Sequence, residues 1–193
     1  MTVMYLYYNQ PDAIKFFEDL GYPDIGIDFL FVDDGSKEPL KLDWATVLRI
    51  DEDVPWNQPK ANNIGFKYLY SLAENMTVLR MDIDHYFTVN DLLDINTIKL
   101  FDKEIMTFKR EGRHPHPNIY LANVRDMVKN GYDEQFCGSY GYDDIELMDR
   151  LKKKHFSFTS SYIKCYINHN IKQHGLERDT TVNKQKYLEK SNS

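Results

Sequence analysis

Ile27-Asp28-Phe29-Leu30-Phe31-Val32-Asp33-Asp34-Gly35-Ser36 decides how this chain is read. Ile27 to Val32 is an apolar run of strand length, and two carboxylates and a glycine turn end it. That is the signature of a buried strand that delivers acids to the edge of a sheet. The same design returns at Thr77 to Met81, which runs into Asp82-Ile83-Asp84. Val3 to Tyr8 and Thr46 to Ile50 read as two further strands. Helical patterns separate them. Pro11 and Asp12 open one, with Ala13, Phe16, Phe17 and Leu20 as its apolar positions. Asn62 or Asn63 caps a second that runs to Glu74, with Ile64, Tyr68 and Leu72 along one face. Strands alternating with helices indicate an α/β sheet.

The second half has a different texture. Periodicity predicts a helix over Asp91 to Lys109, then a polar loop from Glu111 to Pro117. Asn118 to Asn123 and Ser161 to Ile167 read as strands. Asp143 to Lys154 reads as a helix with Ile145, Met148 and Leu151 on one face. From Glu177 the chain is polar and is expected to be loose.

The chain has 193 residues, enough for one domain with a sizeable core. Its formal net charge of -6 argues against coating nucleic acid or an anionic membrane. Fourteen tyrosines supply faces for stacking on sugars or bases, besides those that fill the core. Cys137 and Cys165 form no CxxC pattern, so neither a zinc site nor a disulfide framework is expected. No stretch approaches the ~20 apolar residues of a membrane span, and Met1 to Tyr8 lacks the basic flank of a signal peptide. The expectation is a cytoplasmic protein.

In open α/β sheets, ligands bind beyond the carboxyl ends of the strands. Asp33-Asp34 and Asp82-x-Asp84 sit at two such ends. Carboxylates there can accept from ribose hydroxyls or base N–H groups, and alternating ones can share Mg²⁺ or Mn²⁺. The same residues serve equally as helix caps or Asx turns. Asp143 and Asp144 open a helix, where acids are ordinary compensation of the macrodipole. Beside a metal site, one of them can instead act as general base. His169 follows the last strand and is a candidate ligand, with His85 as the alternative. His114 and His116, in His-Pro-His-Pro, read as a rigid exposed loop without a metal role.

Taken together these segments resemble the GT-A glycosyltransferases. Leu6-Tyr7-Tyr8-Asn9 and Phe31-Val32-Asp33-Asp34-Gly35-Ser36 resemble a family-2-type opening. Trp56 to Phe66 is similar to the β-1,4-galactosyltransferase pattern FNRAKxxNxGF: Asn57, Lys60, Asn63, Gly65 and Phe66 match, and Gln58 replaces an arginine. Asp82-Ile83-Asp84 resembles the metal-binding DVD, and Asn130 to Phe136 resembles GG(F/Y)DE. Tyr140 to Leu151 resembles WGGEDDDxxxRL, with Tyr142 at the second glycine, Asp143 for Glu and Glu146 for Asp. Cys165 to His169 resembles the strand carrying the metal-binding histidine, with Tyr166 in place of a methionine ligand.

The resemblance implies a single-domain GT-A fold, a Rossmann-like mixed sheet flanked by helices. Residues 1–84 would be the nucleotide-binding half, 85–176 the acceptor and metal half, and 177–193 a polar tail. It implies sugar transfer with inversion from a UDP-sugar to a hydroxyl of a carbohydrate acceptor, with Mn²⁺ or Mg²⁺ as cofactor. Tyr7, Asp33, Asp34, Lys60, Asn63 and Asp82 would hold the donor, and Tyr140 the acceptor. Asp84 and His169, with Asp82, would hold the metal. Asp144 would be the catalytic carboxylate with Asp143 beside it. The 111–117 loop would be a lid or acceptor-side loop. A sugar nucleotidyltransferase should carry a Gly-rich basic loop after the first strand, where this chain has Asn9-Gln10-Pro11-Asp12. A silent nucleotide-sugar-binding module remains the alternative from another functional class.

Overall fold

The computed structural model describes residues 1–110, 114–171 and 175–191. In chain order the elements are β1 (Thr2–Tyr7), α1 (Pro11–Asp19), β2 (Asp28–Asp34), β3 (Thr46–Ile50), α2 (Gln58–Leu72), β4 (Thr77–Met81) and β5 (His85–Tyr86). Then follow α3 (Val89–Asn96), β6 (Glu104–Arg110), β7 (Tyr120–Asn123), α4 (Val124–Asn130), α5 (Asp143–Lys153), β8 (Ser157–Ile167) and α6 (Thr181–Ser191). Single 3₁₀ turns lie at Tyr22–Asp24 and Glu134–Phe136.

The eight strands form one sheet in the order β3-β2-β1-β4-β7-β6-β8-β5. β3, β2, β1 and β4 are parallel. β7 runs against both β4 and β6, β8 runs with β6, and β5 runs against β8. Six strands therefore end at the same edge, and β5 and β7 begin there.

Alternation along β1 splits the core in two. Val3, Tyr5 and Tyr7 pack with Phe17, Phe29, Phe31 and Leu92 on the face of α1 and α3. Met4 packs with Leu30, Val32, Phe66, Leu69, Met127 and Leu147 on the face of α2, α4 and α5. A central parallel strand covered on both sides is apolar at both parities, as β1 is. Gly65 permits the close approach of α2: a Cβ there would sit 2.4 Å from Met4 Sδ and 3.1 Å from Val32 Cγ2. Gly35, at φ +76°, makes the turn after β2, and a Cβ there would sit 2.8 Å from the Glu52 carbonyl.

Four expectations are corrected. The helix expected over Asp91 to Lys109 is α3 followed by the strand β6. A capping box between Thr88 and Asp91 starts α3, and Ile105 and Phe108 of β6 enter opposite cores. Apolar residues at both parities of a doubly covered strand imitate helical spacing. Second, α2 begins at Gln58 with Asn57 as its N-cap residue, so Asn62 and Asn63 lie inside the helix. Third, Ile145 of α5 is exposed, while Glu146, Leu147, Met148 and Leu151 face inward.

The fourth concerns the tail, which is docked. Asn183 on α6 is fully buried, and its amide donates to the carbonyls of Phe136 (3.0 Å) and Ser139 (2.7 Å). The Tyr187 hydroxyl donates to Asp149 at 2.7 Å, and Lys186 donates to the Gln135 carbonyl at 2.6 Å. Its polar side chains thus satisfy the backbone of residues 135–139, the loop leading to Tyr140. No helix among the described residues is long and apolar enough to cross a membrane.

Candidate active site

A cavity of about 660 Å³ opens at the shared strand edge. Each wall has a clear origin. The ends of β1 and β2 bring Tyr7 and Asp34, and the segment after β4 brings Asp82 and Asp84. The start of β5 brings His85, the end of β6 brings Arg110, and the approach to β7 brings His116 and Asn118. His169 follows β8. The first turn of α5 adds Asp143 and Asp144, and Trp56 and Gln58 lie at the start of α2. Residues far apart in sequence meet here because the topology ends its strands together.

One donor atom each from Asp82, Asp84 and His85 lies within 4.8 Å of the other two. His85 Nδ1 is 2.6 Å from Asp84 Oδ1. His85 is 4% exposed, and its Nε2 has no partner among the described residues. Oxygen donors with one imidazole form a set suited to Mn²⁺ or Mg²⁺, and the orphaned ring nitrogen supports a ligand or water there. His169 lines the same cavity but is exposed and stands outside this group. The backbone still ties its strand to the motif, because the Asn168 N–H donates to the Asp84 carbonyl at 2.8 Å. Tyr166 stacks on Tyr86, ring centroids 5.5 Å apart. Glu111 to Arg113 of the expected lid lie outside the described residues, as does His174, five residues after His169.

Arg80, fully buried on β4, is the hidden support of this group. Its guanidinium pairs with Asp82, donates from Nε to Asn62 Oδ1 (2.9 Å) and donates from Nη1 to the Asn118 carbonyl (3.1 Å). Burial pushes the Asp82 carboxyl up, yet Arg80, helped by His116 and His85, holds it below the ordinary carboxylate value.

The α5 acids behave differently. Burial, with the charge of Asp144, pushes Asp143 up to about 7, and its Oδ2 has no partner among the described residues. Burial also raises Asp144, against the opposing pull of His116 and the Ile145 N–H, which donates to Oδ1 at 2.8 Å. Asn118 Nδ2 reaches Asp144 Oδ2 at 3.5 Å, and the Tyr132 hydroxyl fixes Asn118 by donating to its Oδ1 at 2.8 Å. Tyr142, ahead of α5, holds φ at +65°, which explains why a glycine suits that position and marks a strained turn before the acids.

Asp143 has a measurable consequence. Unfolded, its carboxyl titrates near about 3.9; folded, near about 7. Between those values the folded protein keeps a proton that the unfolded chain has released, so stability falls as pH rises through that window. Asp143→Asn should shrink this fall. Urea melts near about pH 5 and about pH 8 measure it, and an unchanged difference would show that Asp143 does not titrate as placed.

Several expected residues lie outside the cavity. Asp33 is fully buried and saturated: it accepts from the N–H groups of Ser36 (3.1 Å) and Leu40 (2.9 Å) and pairs with Arg49 (2.7 Å). Its neighbour Asp34 is the carboxylate that faces the cavity, accepting from Asn57 Nδ2 at 2.8 Å, and burial pushes it up to about 6. Lys60 turns to Glu52 at 2.8 Å. Asn63 accepts from the Tyr132 N–H and donates to the Tyr132 carbonyl, both at 2.8 Å. It borders a separate groove of about 1030 Å³ behind α4, α5 and α6, away from these acids. Tyr140 does line the cavity, 4.5 Å from the Trp56 ring.

His116 corrects the reading of His-Pro-His-Pro as an exposed loop, because it is half-buried and lines the cavity. Its Nδ1 lies 3.5 Å from Asp82 Oδ2 and accepts from the Asn118 N–H at 3.2 Å. Burial lowers its pKa against the pull of Asp82 and Asp144.

No protein-family model matches the sequence, and no curated protein does. Solved structures do. The catalytic domain of Drosophila β1,4-galactosyltransferase 7, in complex with xylobiose, superposes with TM-score 0.63 at 15% identity over 94% of this chain and 74% of its own. An Asp-to-Asn mutant of the Drosophila enzyme, in complex with manganese, UDP-Gal and xylobiose, gives TM-score 0.59 at 13% identity over 91% and 71%. The chain therefore has the GT-A glycosyltransferase fold, a single-domain mixed sheet with flanking helices.

Proposed function

We propose that this protein is a metal-dependent inverting glycosyltransferase that moves a sugar from a UDP-sugar to a hydroxyl of a carbohydrate acceptor. The observation that carries this reading is the union, in one cavity, of the Asp82–Asp84–His85 group with the buried Asp143–Asp144 pair. The fold neighbours support it, since one of those complexes contains manganese, UDP-Gal and xylobiose.

Asp82, Asp84 and His85, with His169 at the rim, would hold Mn²⁺ or Mg²⁺. When bound, the ion supplies Lewis-acid stabilisation of charge on the departing diphosphate. Tyr7 and Asp34, at the ends of β1 and β2, would take the base and ribose. Tyr140 and Trp56 offer aromatic faces to a sugar ring. Asp144, oriented by Asn118, takes the proton from the acceptor hydroxyl as the new C–O bond forms. Its raised affinity for a proton suits that task. Asp143, pushed up to about 7, keeps its proton below neutral pH, which limits repulsion between adjacent carboxylates. Inversion would require the base and the departing diphosphate to lie on opposite sides of the anomeric carbon.

UDP release from a panel of UDP-sugars, with and without Mn²⁺ and simple glycoside acceptors, tests the reading. Mn²⁺-dependent release stimulated by one acceptor class is expected. Absence of release with every donor, alongside tight UDP binding, would favour a silent binding module.

A further inference from the structure

The cavity carries five carboxylates, Asp34, Asp82, Asp84, Asp143 and Asp144. Arg80 already balances Asp82, but a nucleoside diphosphate entering the cavity adds negative charge beside the remaining acids, and a fixed cation at the wall would offset it. Among the described lining residues only Arg110 and Arg178 offer a guanidinium, and none is a lysine. Gln58 at the same wall is neutral, and Lys60 is engaged by Glu52.

The two arginines are not equivalent. Arg110 donates from Nε to the His114 carbonyl at 3.2 Å, and it stands on the side of His116. Arg178 lies on the segment between β8 and α6, 5.5 Å over the Tyr140 ring. Residues 176–180 of that segment are held to the cavity. The Trp56 indole N–H donates to the Glu177 carbonyl at 2.7 Å, and the Trp56 ring packs on Tyr140. On the α6 side, Asn183 is bonded to the loop that leads to Tyr140. Trp56 keeps φ at +53° in this arrangement, a strained value for tryptophan.

We propose that Arg178 recognises the diphosphate of the nucleotide donor. The inference rests on the glycosyltransferase reading above and assigns a residue to it. A guanidinium placed over an aromatic ring is preorganised, and its N–H fork matches phosphate oxygens. The C-terminal segment thereby becomes part of donor recognition.

Calorimetric titration tests this, with UDP and with uridine, in saturating Mn²⁺, on the wild type and on Arg178→Met, Arg178→Lys and Arg110→Gln. Arg178→Met should weaken UDP by about 10- to 100-fold, the size of a lost hydrogen bond between charged groups. Uridine binding and Mn²⁺ affinity without nucleotide should stay unchanged, and Arg178→Lys should recover part of the loss. Equal weakening of UDP and uridine, unchanged UDP binding, or a loss confined to Arg110→Gln would overturn the assignment while leaving nucleotide binding by the wild type intact. A wild type that binds no UDP would overturn the assignment and the glycosyltransferase reading together.

Discussion

Asp144→Asn should abolish sugar transfer while UDP still binds with Mn²⁺. The amide matches the carboxylate in shape and can still accept from the Ile145 N–H, giving up only the long contact from Asn118, but it cannot take a proton from the acceptor. Loss of a positioned general base costs about 10²- to 10⁴-fold in rate. Asp144 suits the role because burial raises its carboxyl and a fixed amide aims it. Product formation and UDP affinity should therefore separate. Wild-type transfer by the variant would remove Asp144 from the chemistry. Parallel loss of transfer and binding would make it a structural acid of the α5 turn.

Asp84→Ala should have the other large effect, on binding. Asp84 is the carboxylate that His85 orients at 2.6 Å, and Asp82 is already committed to Arg80. With Asp84 gone, the group keeps one encumbered oxygen donor set and one imidazole. Loss of an outer supporting group alone typically costs about 10- to 100-fold in metal affinity, so removing this carboxylate should cost at least that much. Mn²⁺-dependent UDP binding should fall accordingly, and UDP binding in chelator should change little. His169→Ala discriminates the ligand set: a comparable fall would bring His169 into it, whereas a small one would leave the ion to Asp82, Asp84 and His85. Unaltered Mn²⁺ dependence in Asp84→Ala would refute the metal site.

What the sequence reveals of this site follows from its physics. Apolar runs ending in Asp33-Asp34 and Asp82-Ile83-Asp84 mark strand ends, because a run of strand length stopped by acids suits a strand buried on both faces. The same pattern does not say which residue of Asp33-Asp34 faces the ligand. Asp33 shares a face with Phe29 and Phe31 and is absorbed by Arg49 and two backbone N–H groups. Asp34 faces the α2 side, where Asn57 and the cavity meet it. His116 sits between prolines, a local signal for an exposed loop, and only the antiparallel return of β7 carries it to Asp82. His85 adjoins the acids in sequence, but its reach to Asp84 depends on pairing with Ile167 across β5 and β8. The polar residues of α6 read as solvated, yet Asn183 finds partners at Phe136 and Ser139 and Tyr187 one on α5, all more than thirty residues upstream. Long-range partners of polar groups leave no periodic trace, and that is where the sequence reading fell short.

Binding of UDP by titration calorimetry, in Mn²⁺ and again in chelator, bears most directly on the claim that this cavity is a metal-assisted nucleotide-sugar site. Stoichiometric binding in Mn²⁺ that weakens by more than about tenfold in chelator, a difference of about 1.4 kcal/mol, is the expected result. No UDP binding in either condition would contradict the account, leaving a GT-A fold whose acidic cavity serves another ligand.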